Sequence, residues 1–154
     1  MIRNKSNRSP YVYSNEALSV QFPSEAIKQR KGNFGNTLSY VDSATVTMHL
    51  NNVLEGEWYF TVLGHQIDPD EVIVRGQMEI NGVVRQQFGG SSITRKQGNG
   101  ETISIADDLK SAIADCLKKC ASSFGVGLYL YGGSSKPASS NTQQHQGNGN
   151  GNGL

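Results

Sequence analysis

The chain has 154 residues, enough for one domain of ordinary size that buries a hydrophobic core without disulfides or metal ions. Its formal net charge is +1, so any nucleic-acid interface has to come from clusters of lysine and arginine rather than from bulk charge. No apolar run approaches the roughly 20 residues of a membrane span, and the basic N-terminus lacks the apolar segment of a secretory signal. We therefore predict a cytoplasmic protein with no membrane partner, although a very short transit peptide stays open.

The two ends of the chain differ in composition from its middle. From Gly133 to Leu154 glycine, serine, asparagine and glutamine dominate, acidic residues are absent, and no apolar face repeats. Such a segment cannot bury enough apolar surface to offset the entropy lost on ordering. We predict a flexible arm over residues 1–14, a folded domain over 15–132 and a disordered Gly/Asn/Gln/Ser-rich tail over 133–154.

The first part of the folded region contains two candidate helices separated by a loop. Residues 23–30 read as a short helix, and the glycines and asparagines at 32–36 predict a loop. Apolar residues at i, i+4, i+7 and i+8 over 43–54 predict a second helix, with Asp42 or Ser43 as its N-cap. Alternation over the same stretch also fits a strand, so periodicity alone leaves both interpretations open.

Three strands are predicted next, at 58–63, 72–80 and 83–89. Asp68-Pro69-Asp70 has the residues of a turn, and Asn81-Gly82 is the strongest short signal for a hairpin. The three strands therefore form an antiparallel meander.

A long helix follows the meander. Thr102 or Ser104 is its predicted N-cap, and apolar residues then recur at steps of three and four as far as Phe124, which makes about five turns. Gly125 is a natural stop at the C-terminal end. The whole order predicts an α+β domain with short N-terminal helices and a three-stranded antiparallel β-meander packed on a long C-terminal helix.

Residues that could carry catalysis form no convincing site. Cys116 and Cys120 share one helical face, but two ligands make a poor zinc site, so we expect buried thiols in a reducing compartment. His65 lies near Asp68 and Asp70, as in a metal-dependent nuclease, yet these acids occupy a proline-containing turn in which Asp is common. The chain has no phosphate-binding loop, nucleophile elbow or paired zinc motif. We predict no enzyme activity, no cofactor and no metal.

Basic residues gather before the first loop, before the long helix and near its end. If these groups converge on one groove, the groove would follow a phosphate backbone. The lysine pair at the helix end also fits an ordinary solvated surface whose cations complement the helix dipole. Tyr40, after the first loop, fits either a stacking residue or a half-buried aromatic. The clusters are Lys28, Arg30 and Lys31; Arg95 and Lys96; and Lys118 and Lys119.

The end of the long helix also resembles a known family. Residues 115–125 combine an acid, a leucine, two lysines, a small pair and a final Ser-Phe-Gly, and 126–131 continue with a glycine and Tyr-Leu-Tyr. Upstream, 24–30 are similar to a Glu-aromatic-Ile-x-x-Arg stretch, a Tyr-Val-Asp step follows at 40–42, and Trp58 opens the first long strand. Over about residues 17–130 the chain thus resembles the annealing domain of the Rad-fifty-two superfamily, in its bacterial DdrA-type and phage Sak-type branch.

The resemblance implies a fold, an assembly and an activity. In the family, residues corresponding to 43–54 are helical, and the domains assemble side by side into rings or helical filaments. Single-stranded DNA runs in a basic groove between the sheets and the long helices, with its backbone held and its bases presented for pairing. The implied function is ATP-independent annealing of complementary strands in homologous recombination and DNA repair. The implied partners are single-stranded DNA, further copies of the chain and a single-stranded-DNA-binding protein, in the nucleoid of a bacterial or phage-infected cell.

The resemblance also assigns individual DNA contacts. It carries them to Arg30, Tyr40, Lys118 and Lys119, and it matches Lys110 to a basic position on the same helix.

One departure affects this assignment. Eukaryotic members have a third basic residue at the position of Ser122, so the missing cation would have to come from Lys28, Lys31, Arg95 or Lys96. A second DNA site on the outside of eukaryotic rings does not map onto clear lysines in this chain.

Three other functions stay open. The first is protection of DNA 3′ ends without annealing, within the same fold. The second is a coating protein of the OB type, but its barrel needs five strands and such proteins in bacteria end in an acidic tip that this tail lacks. The third is a helical protein-interaction module whose lysines only aid solubility.

Overall fold

The computed structural model describes residues 16–132, so the predicted arm at 1–14 and the predicted tail at 133–154 lie outside the described residues. It confirms an α+β domain with a three-stranded antiparallel sheet and a long C-terminal helix. Short 3-10 turns occur at Ser24–Ala26, Asn33–Gly35 and Leu128–Gly132. The main elements are β1 (Lys28–Lys31), β2 (Thr37–Tyr40), α1 (Ser43–Leu54), β3 (Trp58–Ile67), β4 (Glu71–Ile80), β5 (Val83–Ser92) and α2 (Ile105–Ser122).

The helix predicted at 23–30 is wrong, because this stretch forms one 3-10 turn and then a strand. β1 pairs antiparallel with β2 in a separate two-stranded sheet, with Lys28 opposite Tyr40. The Gly32 N–H donates to the Asn36 carbonyl at 2.6 Å and closes the tip of this β1–β2 hairpin. All four side chains of β1 are exposed, so no apolar alternation marks the strand. Backbone pairing with β2 here outweighs the good helix propensity of lysine, glutamine and arginine.

Helix α1 confirms the helical interpretation of 43–54 and excludes the strand. The Asp42 carboxylate accepts hydrogen bonds from the Thr45 N–H at 2.8 Å and the Thr45 hydroxyl at 2.7 Å, so Asp42 is the N-cap. Val46, Leu50 and Leu54 form its buried face.

The N-cap of α1 is linked to the hairpin by an ion pair, and this makes its contribution to stability dependent on pH. Hydrogen bonds from Lys28 and Thr45 hold the pKa of Asp42 well below its ordinary value of 3.8. Because the folded-state pKa is depressed, the carboxylate stabilises the fold fully above pH 3.8, and this is lost as the pH falls through the folded-state pKa.

We therefore expect Asp42→Ala to lower the thermal midpoint at about pH 7, where the cap and the ion pair are both lost. The gap between the variant and the wild type should shrink as the pH falls below 3.8. Thermal melts followed by circular dichroism across this pH range measure both effects. Asp42→Asn keeps a capping oxygen without the charge, so its thermal midpoint at about pH 7 should lie between those of the wild type and Asp42→Ala. A difference in midpoint between Asp42→Ala and the wild type that stays constant with pH would contradict the prediction.

The meander has the predicted order, but its strands are longer than predicted. β4 is the central strand; it pairs with β5 over its whole length and with β3 from Val72 to Ile80. Asn81 and Gly82 connect β4 to β5 with φ values of 50° and 78°, as the predicted two-residue hairpin requires. The register of β3 shifts between Val62 and Gly64, where an extra residue makes a bulge.

Helix α2 packs across β4 and β5, and a glycine allows this close contact. A Cβ atom added to Gly89 would lie 2.3 Å from the Cys116 nitrogen and 2.5 Å from the Ala112 carbonyl oxygen. The helix backbone therefore rests directly on the β5 backbone, and only glycine fits there. At the other end, the Ser104 hydroxyl accepts from the Asp107 N–H at 3.2 Å and caps α2, which confirms one of the two predicted N-caps.

The hydrophobic core lies between the meander and the helices. The two cysteines of α2, Cys116 and Cys120, are free and fully buried in it, as predicted. Burial raises the pKa of Cys120 to about 12, so this thiol is protonated at neutral pH and inert. Within residues 16–132, none of the helices combines the length and apolar character that a membrane span requires.

Candidate nucleic-acid interface

An open cleft of about 220 Å³ lies where the β1–β2 hairpin faces the C-terminal half of α2. The hairpin contributes the side of the cleft that carries Arg30 and Tyr40, and α2 contributes Asp115 and Lys118. The segment after α2 closes the remaining side with Val126, Gly127, Leu130 and Tyr131. The cleft thus brings Lys118 together with Arg30 and Tyr40, which lie 88 and 78 positions earlier in the sequence.

Tyr40 is the centre of this arrangement. The Arg30 Cζ atom lies 5.7 Å from the centroid of the Tyr40 ring, and the Lys118 Nζ atom lies 5.5 Å from it. Both distances are within the range in which the ring quadrupole attracts a cation. The Tyr40 ring therefore offsets part of the repulsion between the positive charges of Arg30 and Lys118. Both cations lie at the wall of the cleft.

Lys118 is the cation that the fold desolvates most clearly. Its ammonium donates to the Val41 carbonyl at 3.3 Å, and the side chain is half-buried. Burial lowers the pKa of Lys118 below its ordinary value of 10.5, an effect that nearby Arg30 reinforces and Asp115 opposes. A desolvated ammonium that has a carbonyl rather than a carboxylate as its hydrogen-bond partner gains strongly from an anion entering the cleft.

Lys119 differs from its neighbour because it already has an acidic partner. Its ammonium lies 2.9 Å from Asp115 Oδ2, one helical turn earlier, and the same oxygen accepts from the Gly90 N–H at 3.0 Å. Lys119 thus neutralises an acid at the edge of the cleft. Ser122 occupies the position at which the resemblance leads one to expect a third basic residue. Its hydroxyl donates to the Lys119 carbonyl at 2.7 Å, within the last turn of α2.

The two other lysines of the hairpin lie beside the cleft. Lys28 forms an ion pair with Asp42 at 2.9 Å. Lys31 is exposed at the end of β1, next to the hairpin tip and opposite Thr37. Residues adjacent in a strand point to opposite faces, so Lys28 and Arg30 share the face of Tyr40 while Lys31 points away from it.

The remaining predicted residues are not brought to the cleft. Arg95 donates to the carbonyls of Pro69 and Gly100, which places it beside the β3–β4 turn. Lys96 pairs with Glu101 at 3.3 Å within its own loop. Lys110 is exposed and lies 3.6 Å from Asp107, eight residues or about 12 Å of helix before Lys118. Convergence of all the basic clusters on one groove is therefore not observed within one copy of the chain.

Sequence reasoning did not identify several parts of this surface. Asp115, Leu130 and Tyr131 all line the cleft, although in the sequence they contribute only to the motif that resembles the family. Phe34, at the tip of the hairpin, is 99% exposed, whereas the sequence predicts only a loop at this position. Its signal in the sequence is an aromatic residue framed by glycines and asparagines directly after two basic residues.

The alternative metal site near His65 has no support in the geometry. His65 is exposed and Asp68 is partly buried, and the Asp68 carboxylate accepts from the Gln66 side chain at 2.7 Å. Among residues 16–132, no three His, Cys, Asp or Glu side chains lie close enough together to hold a metal ion.

Comparison with known proteins agrees with this architecture. Over 122 residues the chain is 30% identical to the single-stranded DNA-binding protein DdrA of Deinococcus deserti, which covers 74% of this chain and 54% of that protein. It is 27% identical over 123 residues to the protein of the same name from Deinococcus radiodurans, covering 74% of this chain and 52% of the relative. The chain thus spans about half the length of these relatives. Residues 13–149 match the model of the family described as Rad52/22 family double-strand break repair protein, and the chain belongs to this family.

Proposed function

We propose that this domain binds single-stranded DNA along the cleft between the β1–β2 hairpin and α2, and that it promotes annealing of complementary strands. The observation that carries the proposal is the convergence of Arg30, Tyr40 and Lys118, with two cations held against one aromatic ring at the wall of an open cleft. The relatives from Deinococcus, which are named single-stranded DNA-binding proteins, support the same ligand.

The chemistry of the cleft suits a phosphate backbone better than a particular base sequence. Arg30 offers a planar guanidinium and Lys118 a point charge, and both bind phosphate oxygens regardless of the attached base. Tyr40 and Tyr131 add aromatic surface, which accepts any base. Such binding is sequence-independent and weakens with rising salt because counterions are released from the strand.

Annealing follows from binding each strand through its backbone without recognising its base sequence. A strand fixed through its backbone loses its internal secondary structure and keeps its pairing edges available, so part of the entropy cost of pairing is met in advance. Pairing is itself favourable, and no nucleotide is consumed. The protein therefore acts as a binding protein and not as an enzyme, with single-stranded DNA as its partner.

Assembly of several copies belongs to the same proposal. The edge strands β3 and β5 of the meander are each ten residues long, and neither pairs with a further strand within residues 16–132. Unpaired edges of this length favour association with another copy. Side-by-side packing would join successive clefts into one groove for a longer strand, in a ring or helical filament.

The experiment measures the binding of a fluorescent oligonucleotide by anisotropy over a range of salt concentrations, and then the annealing of complementary oligonucleotides without ATP. We expect binding to fall linearly with salt on logarithmic axes, with a slope of about 0.7 per phosphate contacted. We also expect faster annealing than in buffer alone. Binding without annealing would leave DNA-end protection as the function, and the absence of binding would contradict the proposal.

A further inference from the structure

Phe34 at the tip of the β1–β2 hairpin is the most exposed large apolar side chain in the described part of the chain, at 99%. Gly32 and Asn36 close the turn beneath it with a backbone hydrogen bond of 2.6 Å. Gly32 also packs against Leu38, because a Cβ atom at Gly32 would lie 2.8 Å from Leu38 Cγ. The tip is thus a tight turn, held by a backbone hydrogen bond and by packing against Leu38, and it exposes an aromatic ring to solvent.

The fold does not need this side chain. Phe34 has φ 63° and ψ 28°, a left-handed conformation that is unfavourable for a bulky residue and that asparagine or glycine would adopt at lower cost. A fully exposed ring also gives no burial energy in return. A strained backbone that presents an apolar group to water, with no contribution to the core, points to an external contact.

The surroundings of Phe34 favour an anionic ligand. Residues 27–41 contain Lys28, Arg30 and Lys31 and no acidic residue. Arg30, at the wall of the cleft, precedes Phe34 by four residues, or at most about 13 Å of extended chain. A stacked nucleic-acid strand advances about 3.4 Å per nucleotide, so one short stretch of strand reaches both residues.

We propose that Phe34 stacks on a nucleobase of the strand whose phosphates lie in the cleft, which divides recognition between a cationic cleft for the backbone and an aromatic tip for the bases. The inference rests on the proposed function and adds a base-contacting element that the basic residues do not supply. Every base has a π-face, so this contact is compatible with binding that ignores sequence.

The test compares an oligothymidylate with an abasic strand of the same length and charge, by anisotropy. Wild-type protein should bind the base-bearing strand more tightly. Phe34→Ala should weaken that binding about 5- to 100-fold and leave binding of the abasic strand unchanged. Phe34→Trp should restore the preference, with quenching of its fluorescence on binding beyond that of the native Trp58. Met48→Ala removes an exposed apolar side chain of similar size on α1, away from the edge strands, and should change neither affinity.

The possible failures are distinguishable. If the wild type binds neither strand, the proposed function itself is wrong. If it binds both strands equally, or if Phe34→Ala binds the base-bearing strand as the wild type does, the stacking inference is overturned while the cleft stands. Equal weakening of both strands, or an altered sedimentation velocity of the Phe34→Ala protein without DNA, would assign the ring to a contact between copies and would also overturn it.

Discussion

Replacing Lys118 and Lys119 together by alanine is expected to weaken binding of single-stranded DNA by about 100-fold or more. Each ammonium is expected to make a charge-assisted hydrogen bond to a phosphate, which contributes roughly 1.5–3 kcal/mol. Lys118 is expected to account for most of the loss because it is desolvated at the cleft wall, whereas Lys119 is already paired with Asp115. The single variants measured by fluorescence anisotropy separate the two contributions, and loss of both should lower the salt slope by about 1.4.

Two controls show whether the loss of DNA affinity in the double variant is specific to the cleft. Arg75→Ala removes one positive charge from β4, where an exposed side chain points to the face of the meander opposite the core, and it should leave affinity within about twofold. Circular dichroism should show an intact fold in the double variant, since both ammonium groups are at least partly exposed. Affinity unchanged in the double variant would remove the cleft as the binding site.

Gly89→Ala is expected to destabilise the domain by about 3 kcal/mol or more, although it adds a single methyl group. The new Cβ atom would lie 2.3 Å from the Cys116 nitrogen, which is a backbone atom and cannot rotate aside, so α2 or β5 has to shift. We expect a thermal midpoint lower by about 10 °C or more. Binding of single-stranded DNA should also weaken, because a displaced α2 moves Lys118 relative to Tyr40.

The neighbouring residue is a matched control for this substitution. A Cβ atom at Gly90 would lie 3.5 Å from the Val72 carbonyl oxygen, which is ordinary van der Waals contact. Gly90→Ala removes the same conformational freedom from the unfolded chain without the collision. Its thermal midpoint should therefore stay close to that of the wild type, and an equal loss in both variants would contradict the close-packing explanation.

The elements that sequence reasoning predicts well are those whose signals are contained in short segments. The cap at Asp42, the Asn81-Gly82 turn and the apolar periodicity of α2 each depend on neighbouring residues alone. β1 was predicted incorrectly for the opposite reason: its four residues are exposed and carry no alternating pattern, and its pairing depends on β2 across a loop. Good helix formers in such a stretch give a misleading signal.

The candidate site was predictable in part. Resemblance to the family singles out Arg30, Tyr40 and Lys118, and the structure brings these three residues together. Sequence reasoning had no means of separating Lys118 from Lys119, because the difference depends on which groups face them from β2 and from the preceding helical turn. The exposure of Phe34 could not be predicted from the sequence either, because it depends on the absence of a packing partner in three dimensions.

The β1–β2 hairpin has a thermodynamic consequence because it is hydrogen-bonded to no strand of the larger sheet in the described residues. A two-stranded sheet by itself is only marginally stable in water. Its attachment to the domain includes the contacts of Tyr40 with Lys118 and of Lys28 with Asp42, which involve cations that a phosphate would also attract. Under the proposed function, binding of DNA and ordering of the hairpin form one coupled equilibrium, and we expect the affinity to include the free energy of fixing the hairpin against the helix.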